Sequence, residues 1–294
     1  MAAKDAQLYT ASTTPFTDTG DFDPGLADEY HHWLAASGVD GVFAVGTTGE
    51  FIALEDGERT AVIASAVRVF GSDRVIAHTG APSLRQAARL TAAAREVGAT
   101  RFAAMTPYFE VAHPDALADY YTELDSIGGG QFYGYHFPSR TTVALPPEQV
   151  RNITVRAGLA GIKVSGLPAD ETLAYLDPVD PGFEVFTGND ATFAECVRGG
   201  ALGAVSGMSA AFPTVFVAMR DALRSGDADA VARAQDDVQH VVTACEGVNF
   251  ALVKKALDLQ GVPAGPVRVA LDEPSPEQVA VLEDTLDRLG IARP

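Results

Sequence analysis

The segment Gly161-Ile162-Lys163-Val164-Ser165-Gly166 is a short apolar run with a single lysine in its middle. A run of this length between glycines is typical of a buried β-strand. Because successive side chains of a strand point to opposite faces, Lys163 and Ser165 share one face, and Ile162 and Val164 share the other. The apolar face suits a covering layer of helices, so the sequence predicts that Lys163 points to the inner side of the sheet.

Lys163 is one of only four lysines in a chain that otherwise relies on arginine for positive charge. Burial disfavours the charged form of a lysine, and the neutral amine can form an imine, which arginine cannot do. On this segment alone, a lysine that reaches solvent from a strand end is an equally good interpretation. Lys254 and Lys255 fall on a predicted C-terminal helix, and Lys4 lies near the N-terminus.

Around this segment, a predicted strand followed by a predicted helix occurs eight times between residues 7 and 226. The predicted strands are 7–14, 41–45, 75–78, 101–105, 131–136, 159–164, 183–187 and 201–206. The helices that follow them are 24–37, 55–70, 83–97, 114–127, 146–156, 170–176, 190–197 and 210–223. Eight such pairs predict an α/β fold of the (β/α)8 barrel type. An open doubly wound sheet is the alternative, and the absence of GxGxxG after the first strand disfavours it.

After Ser225 and Gly226 the pattern changes to helices alone, predicted at 227–247, 249–260 and 276–289. The proline-containing segment 261–274 between them is predicted to be a loop. We therefore expect a catalytic barrel over residues 1–226 and a C-terminal three-helix region over residues 227–294.

Composition excludes several classes of partner and site. The net charge of −18 over 294 residues argues against nucleic acid and anionic membranes as partners, because both require clustered Lys and Arg. No apolar run reaches 18 residues, the N-terminus lacks a secretory signal pattern, and the two cysteines do not form a CxxC motif. The six histidines show no metal-binding spacing. We expect a cytoplasmic protein with reduced thiols, no metal and no cofactor.

Two loops at the carboxyl ends of predicted strands carry candidate binding residues, and this end of a barrel holds the active site. Gly46-Thr47-Thr48-Gly49-Glu50 follows the second strand, where backbone NH groups and threonine hydroxyls suit a small carboxylate. On local evidence alone, an ordinary glycine-rich turn is the better interpretation of this loop.

The fifth predicted strand ends near Tyr135, with Arg140 in the loop beyond it. Strands five and six are neighbours in a barrel, so Tyr135 can reach Lys163 and serve as a proton donor and acceptor. Arg140 can bind a second carboxylate. Taken singly, each residue also fits an ordinary structural role, as a buried hydrogen-bonded tyrosine or a surface arginine.

Together, these motifs resemble the dihydrodipicolinate synthase / N-acetylneuraminate lyase family. The resemblance rests on residues 46–50, on Tyr135 with Pro138-Ser139-Arg140-Thr141, and on residues 161–163. It extends over nearly the whole chain, from Thr14-Pro15-Phe16 through Gly188-Asn189-Asp190 to the C-terminal helices. It implies a class I lyase, usually a homotetramer, in which a lysine forms a Schiff base with pyruvate or another 2-keto acid that reacts with an aldehyde.

Carried over residue by residue, the resemblance implies roles for seven positions. Lys163 would be the nucleophile, Tyr135 the general acid and base, and Thr47 a member of the proton relay. The implied substrate-binding residues are Thr48, Arg140, Gly188 and Val205.

The chain departs from the synthase pattern at two places. Phe109 follows Tyr108 where synthases have a second aromatic hydroxyl that reaches across a subunit interface, which implies a broken or water-mediated relay. Phe51, Ile52, Asp56, Pro82 and Gln86 occupy positions that resemble the family's lysine feedback site without its polar partners, so we expect no inhibition by L-lysine.

These departures favour a pyruvate-dependent aldolase over dihydrodipicolinate synthase itself, which is the first alternative. A dehydratase of 2-keto-3-deoxy sugar acids and a catalytically silent ligand-sensing barrel are the others.

Overall fold

A closed barrel of eight parallel strands forms the centre of the molecule. The computed structural model describes residues 3–110, 112–176, 180 and 182–293. The strands pair in chain order, and β8 pairs with β1 to close the barrel. The strands are β1 (Gln7–Ala11), β2 (Gly41–Ala44), β3 (Val75–His78), β4 (Arg101–Met105), β5 (Gln131–His136), β6 (Gly161–Val164), β7 (Glu184–Thr187) and β8 (Gly203–Ser206).

Helices follow the strands in sequence, which confirms the predicted (β/α)8 barrel. Those of the barrel are α1 (Pro24–Ala36), α2 (Asp56–Phe70), α3 (Leu84–Glu96), α4 (Pro114–Gly128), α5 (Pro138–Thr141), α6 (Pro147–Ala157), α7 (Ala169–Leu173), α8 (Phe193–Gly199) and α9 (Pro213–Ser225). Helix α1 begins as the sequence predicts, with Asp23 accepting a hydrogen bond from Gly25 and Pro24 in the first turn.

The first strand is shorter than predicted, and one helix was missed. Strand β1 ends at Ala11, and Thr14 instead turns its hydroxyl to the carbonyl of Gly49, 2.8 Å away. The single-turn helix α5 lies in what the sequence predicted to be a loop. Its proline-containing sequence is too short to show helical periodicity.

The register between β5 and β6 confirms that Tyr135 and Lys163 are neighbours. Tyr133 lies opposite Gly161, and Tyr135 lies opposite Lys163. Tyr133 is nearer the amino end of the barrel, where its hydroxyl lies 2.6 Å from Arg101 and donates to Glu184 at 2.7 Å. Tyr133 and Tyr135, which share one face of β5, therefore lie toward opposite ends of the barrel.

Three further helices follow the barrel, as the sequence predicted: α10 (Ala228–Ala244), α11 (Phe250–Leu259) and α12 (Pro276–Arg288). Helix α10 packs against α9. The predicted division of the chain at residue 226 stays a prediction. Among the described residues, no helix combines the length and apolar character needed to cross a membrane.

Candidate active site

Lys163 lies inside the carboxyl end of the barrel, and its side chain is buried. The residue is 5% exposed, and its Nζ lies 4.6 Å from the centre of the Phe43 ring and 4.4 Å from that of Tyr135. Among the described residues, no carboxylate lies within ion-pair distance of Nζ. The amine is therefore held by aromatic faces rather than by a counter-ion, which leaves it available to react.

Gly188 gives the Lys163 side chain its space. A Cβ atom at position 188 would lie 2.0 Å from Ser165 Oγ and 2.9 Å from Lys163 Cε. The backbone NH of Gly188 donates to the carbonyl of Val164 at 2.6 Å. A side chain at Gly188 would thus displace Ser165 or Lys163, and the role in pyruvate binding that the resemblance implies for Gly188 stays a prediction.

Tyr135 and Thr47 form a hydrogen-bonded pair at the same end. Tyr135 is 1% exposed, and its hydroxyl oxygen lies 3.0 Å from Thr47 Oγ1. Because either oxygen can donate, a proton can pass between the two hydroxyls. The pair links the loop after β2 to the phenol beside Lys163.

His78 is a neutral residue that packs against Tyr135. Its Nδ1–H donates to the carbonyl of Val45 at 2.9 Å, and its Nε2 accepts from the backbone NH of Met105 at 3.2 Å. Burial holds the pKa of His78 well below its usual value, and the charge of Arg59 acts in the same direction. Its ring meets that of Tyr135 edge to face at 5.9 Å. His78 therefore positions the phenol and is not itself an acid at neutral pH.

The remaining predicted site residues lie at different depths. Thr48 is buried, with its hydroxyl near Gly207, because a Cβ at position 207 would lie 3.2 Å from Thr48 Oγ1. Val205 is buried on β8, opposite Tyr9 of β1. Arg140 is exposed on α5, with its guanidinium 5.9 Å from the centre of the Phe137 ring.

A cavity of about 490 Å³ has Thr47, the hydrogen-bond partner of Tyr135, in its lining. Thr47 and Met105 lie at its barrel end, and Arg140 lies on its wall. Two C-terminal segments, residues 246–250 and 269–271, close its far side, so the C-terminal region forms part of the site. Its volume falls within the range of about 300–1,000 Å³ that is usual for small-molecule sites.

A buried ion pair that the sequence did not reveal fixes the far side of this cavity. Lys254 is 2% exposed, and its Nζ lies 2.7 Å from Glu50 Oε1. Glu50 Oε2 accepts from the backbone NH groups of Arg268 and Val269 at 2.7 and 3.1 Å. Lys254 on the predicted C-terminal helix is therefore a core residue. Through its backbone contacts, Glu50 connects the loop of residues 46–50 to residues 268–269 at the far side of the cavity.

Asp190 is a second buried group that the sequence reasoning did not select. Its Oδ2 accepts from the backbone NH of Met208 at 3.1 Å. Burial raises its pKa to about 6, which its hydrogen bonds and the charge of Lys163 oppose. Its position just after β7 at the carboxyl end of the barrel was the signal that could have identified it.

The two departures from the synthase pattern are at Phe109 and around Asp56, and the structure shows the contacts of both. Phe109 has a backbone φ of 80° and is 91% exposed, and the ring contacts of Tyr135 among the described residues do not include it. Asp56 lies 3.1 Å from Gln86 and 3.0 Å from Arg89. Its carboxylate is thus already bound within the chain, and the expected absence of inhibition by L-lysine stays a prediction.

The fold and this site define the class of protein: a (β/α)8 enzyme with a buried lysine at the carboxyl end of β6. Residues 4–289 match the model of the dihydrodipicolinate synthetase family, and the chain belongs to that family. It is accordingly a lyase.

Comparisons with individual proteins agree with this assignment. The chain is 31% identical to an uncharacterised DapA-like lyase of Halobacterium salinarum, over 95% of this chain and 92% of that protein. It is also 31% identical to 4-hydroxy-tetrahydrodipicolinate synthase of Methanocaldococcus jannaschii, over 97% and 98%. A dihydrodipicolinate synthase from Acinetobacter baumannii, solved with pyruvate, is 26% identical, with a TM-score of 0.90 over 98% of this chain and 99% of that one.

Proposed function

We propose that the protein is a pyruvate-dependent class I aldolase. In this reaction, Lys163 forms a Schiff base with pyruvate or another 2-keto acid, and a C–C bond to an aldehyde is made or broken. The observation that carries the proposal is the setting of Lys163: buried, without a carboxylate partner among the described residues, and directly across the strand pair from Tyr135.

The chemistry begins with attack of Lys163 Nζ on the keto carbon of pyruvate. Loss of water gives an imine, and its protonated form withdraws electrons from the adjacent methyl group. Removal of one methyl proton gives an enamine, whose carbon attacks the aldehyde carbon while the aldehyde oxygen gains a proton. Hydrolysis of the new imine restores the amine and releases the product.

Tyr135 and Thr47 are proposed to move the protons of these steps. The Tyr135 hydroxyl lies at the end of a ring that contacts Nζ, and Thr47 is within hydrogen-bond distance of that hydroxyl. A positioned hydroxyl of this kind contributes about 10²–10⁴-fold to proton transfer.

The other site residues are proposed to bind substrate. Thr47 and Thr48 with their backbone NH groups suit the pyruvate carboxylate, and Gly188 and Val205 would line the pyruvate pocket. Arg140, exposed at the cavity wall, suits an anionic group at the far end of the aldehyde.

Borohydride reduction in the presence of pyruvate tests this proposal directly. We expect one adduct mass per chain and loss of activity, with the adduct on the peptide that carries Lys163. The other three lysines are internal controls in the same digest. An adduct on Lys254 or Lys255, or full activity without any adduct, would contradict the mechanism.

A second candidate function is dihydrodipicolinate synthesis from pyruvate and aspartate semialdehyde. The M. jannaschii relative is named 4-hydroxy-tetrahydrodipicolinate synthase and is 31% identical, and Arg140 on the cavity wall would bind the carboxylate of the aldehyde. A synthase assay with aspartate semialdehyde, run beside pyruvate release from 2-keto-3-deoxy acids, separates the two functions.

A homotetramer is proposed as the working assembly. The resemblance to a family in which homotetramers are usual supports this, and a neighbouring copy would remove the side chain of Phe109, which is 91% exposed, from water. Light scattering of the native protein and of Phe109→Glu measures this, with a smaller assembly expected for the variant. The predicted cytoplasmic location stays a prediction.

A further inference from the structure

The cavity that Thr47 lines has predominantly apolar walls. Its apolar lining comes from the segment after β2, from Met105 at the end of β4, from the Tyr108 ring beyond β4, and from the C-terminal segments. The residues that present apolar surface to it are Phe51, Ile52, Met105, Val248, Phe250, Val269, Ala270 and Leu271, together with the ring of Tyr108, whose hydroxyl is polar. Few polar side chains accompany them. Whether each of these already has a hydrogen-bond or ion-pair partner determines what this cavity can bind.

Four of the polar lining side chains, those of Thr47, Glu50, Glu246 and Asn249, each have at least one partner within the chain. Both oxygens of Glu50 are engaged, one by Lys254 and the other by the backbone NH groups of Arg268 and Val269. Asn249 uses its Oδ1 to accept from Ala251 at 3.1 Å at the start of α11.

Glu246 and Thr47 are engaged in the same way. Glu246 Oε1 accepts from Gln278 at 2.7 Å, and the Thr47 hydroxyl faces Tyr135. Among the described lining residues, Arg140 is the one positively charged side chain, and no ion pair holds it.

We infer that the aldehyde partner has an apolar body, aromatic or branched aliphatic, with at most one anionic group, which Arg140 would bind. This inference rests on the proposed pyruvate chemistry and adds the class of the second substrate. A sugar-derived aldehyde would place several hydroxyl groups against Phe51, Val269 and Leu271. Each buried hydroxyl left without a partner weakens binding, whereas an apolar body removes its own surface and that of the walls from water.

Val269 is the specificity residue that follows from this arrangement. Its backbone NH is fixed by Glu50, so its side chain is held at the cavity wall. One altered contact in an apolar pocket changes discrimination by about 10–200-fold. We therefore expect Val269 to favour apolar aldehydes by about tenfold.

The test compares benzaldehyde, 4-carboxybenzaldehyde, D-glyceraldehyde and aspartate semialdehyde as acceptors with pyruvate. Residual pyruvate is measured with lactate dehydrogenase, and kcat/KM is determined for each aldehyde. We expect the two benzaldehydes to exceed both other acceptors by at least about tenfold. Arg140→Gln should lower kcat/KM for 4-carboxybenzaldehyde by a larger factor than for benzaldehyde, which has no carboxylate for Arg140 to bind.

Val269→Asn tests the wall itself, and Val155→Asn is the matched control. Val155 is 84% exposed on α6 and is absent from the cavity lining. We expect Val269→Asn to lower the benzaldehyde to D-glyceraldehyde ratio of kcat/KM by about tenfold, and Val155→Asn to leave it unchanged.

The outcomes separate this inference from the proposed function. A pyruvate adduct on Lys163 together with a preference for D-glyceraldehyde or aspartate semialdehyde overturns the apolar class and leaves the aldolase standing. An unchanged ratio in Val269→Asn overturns the role of Val269. Absence of the Lys163 adduct overturns the proposed function, and the inference with it.

Discussion

Two of the four lysines are buried, and their surroundings are opposite. Lys163 lies between the Phe43 and Tyr135 rings with no carboxylate partner among the described residues, whereas Lys254 lies 2.7 Å from the fully buried carboxylate of Glu50. Lys254 also donates to the carbonyl of Pro266 at 2.9 Å. Burial lowers the pKa of Lys254, and the Glu50 charge opposes that shift.

The comparison teaches that burial alone does not identify a reactive lysine. A buried charge with a counter-ion and a hydrogen-bonded carbonyl is a structural element, whose loss leaves the partner charge unpaired. A buried amine held only by aromatic faces makes no such contribution and is free for covalent chemistry. Activity and stability should therefore separate between the two positions.

The largest expected effect is the loss of activity in Lys163→Met. Without the amine no imine forms, so kcat should fall by at least about 10⁴-fold. The free energy of unfolding, measured in urea, should change by less than about 1.5 kcal/mol, because a similar volume is kept and no partner charge is exposed. A strongly destabilised Lys163→Met would mean that this lysine is structural as well.

Lys254→Met should show the reverse behaviour. Leaving Glu50 buried without its counter-ion is expected to lower the free energy of unfolding by about 3–5 kcal/mol. Urea unfolding followed by circular dichroism measures this, with Lys255→Met on the same helix as the matched control. Residual folded enzyme should still form the pyruvate adduct on Lys163. Equal stability of the two variants would contradict the structural role of Lys254.

Tyr135→Phe tests the surroundings of Lys163 without removing the amine. The ring packing against His78 and Phe43 is kept, and the hydroxyl that contacts Thr47 is lost. We expect kcat to fall by about 10²-fold, while borohydride trapping of pyruvate persists at longer reaction times. Full retention of kcat would remove the Tyr135 hydroxyl from the proton path.

The smallest effect is expected for the double variant Glu50→Gln with Lys254→Met. The glutamine oxygen can still accept from Arg268 and Val269, and no unpaired charge remains. Its free energy of unfolding should exceed that of Lys254→Met alone by about 1–2 kcal/mol. A double-mutant cycle with strictly additive losses would show that the two side chains do not interact.

Local patterns were sufficient to predict the barrel and the position of Lys163. Alternation along residues 161–165 gave the inner face of the strand, and repetition of strand and helix gave the closed architecture. The adjacency of Tyr135 and Lys163 followed, because consecutive strands of such a barrel are hydrogen-bonded neighbours. These features depend on residues close in sequence or on a repeating topology.

The partners of Lys254, the tautomer of His78 and the apolar cavity were decided only by the tertiary structure. Glu50 and Lys254 are far apart in the chain, and nothing in either local sequence indicates the other. In the sequence of its helix, Lys254 resembles any charged residue. It is buried because α11 packs so that the Lys254 amine contacts the Glu50 carboxylate and the Phe16 ring. Burial and pairing depend on the packing of distant segments, whereas sequence periodicity reports only which face of an element is apolar.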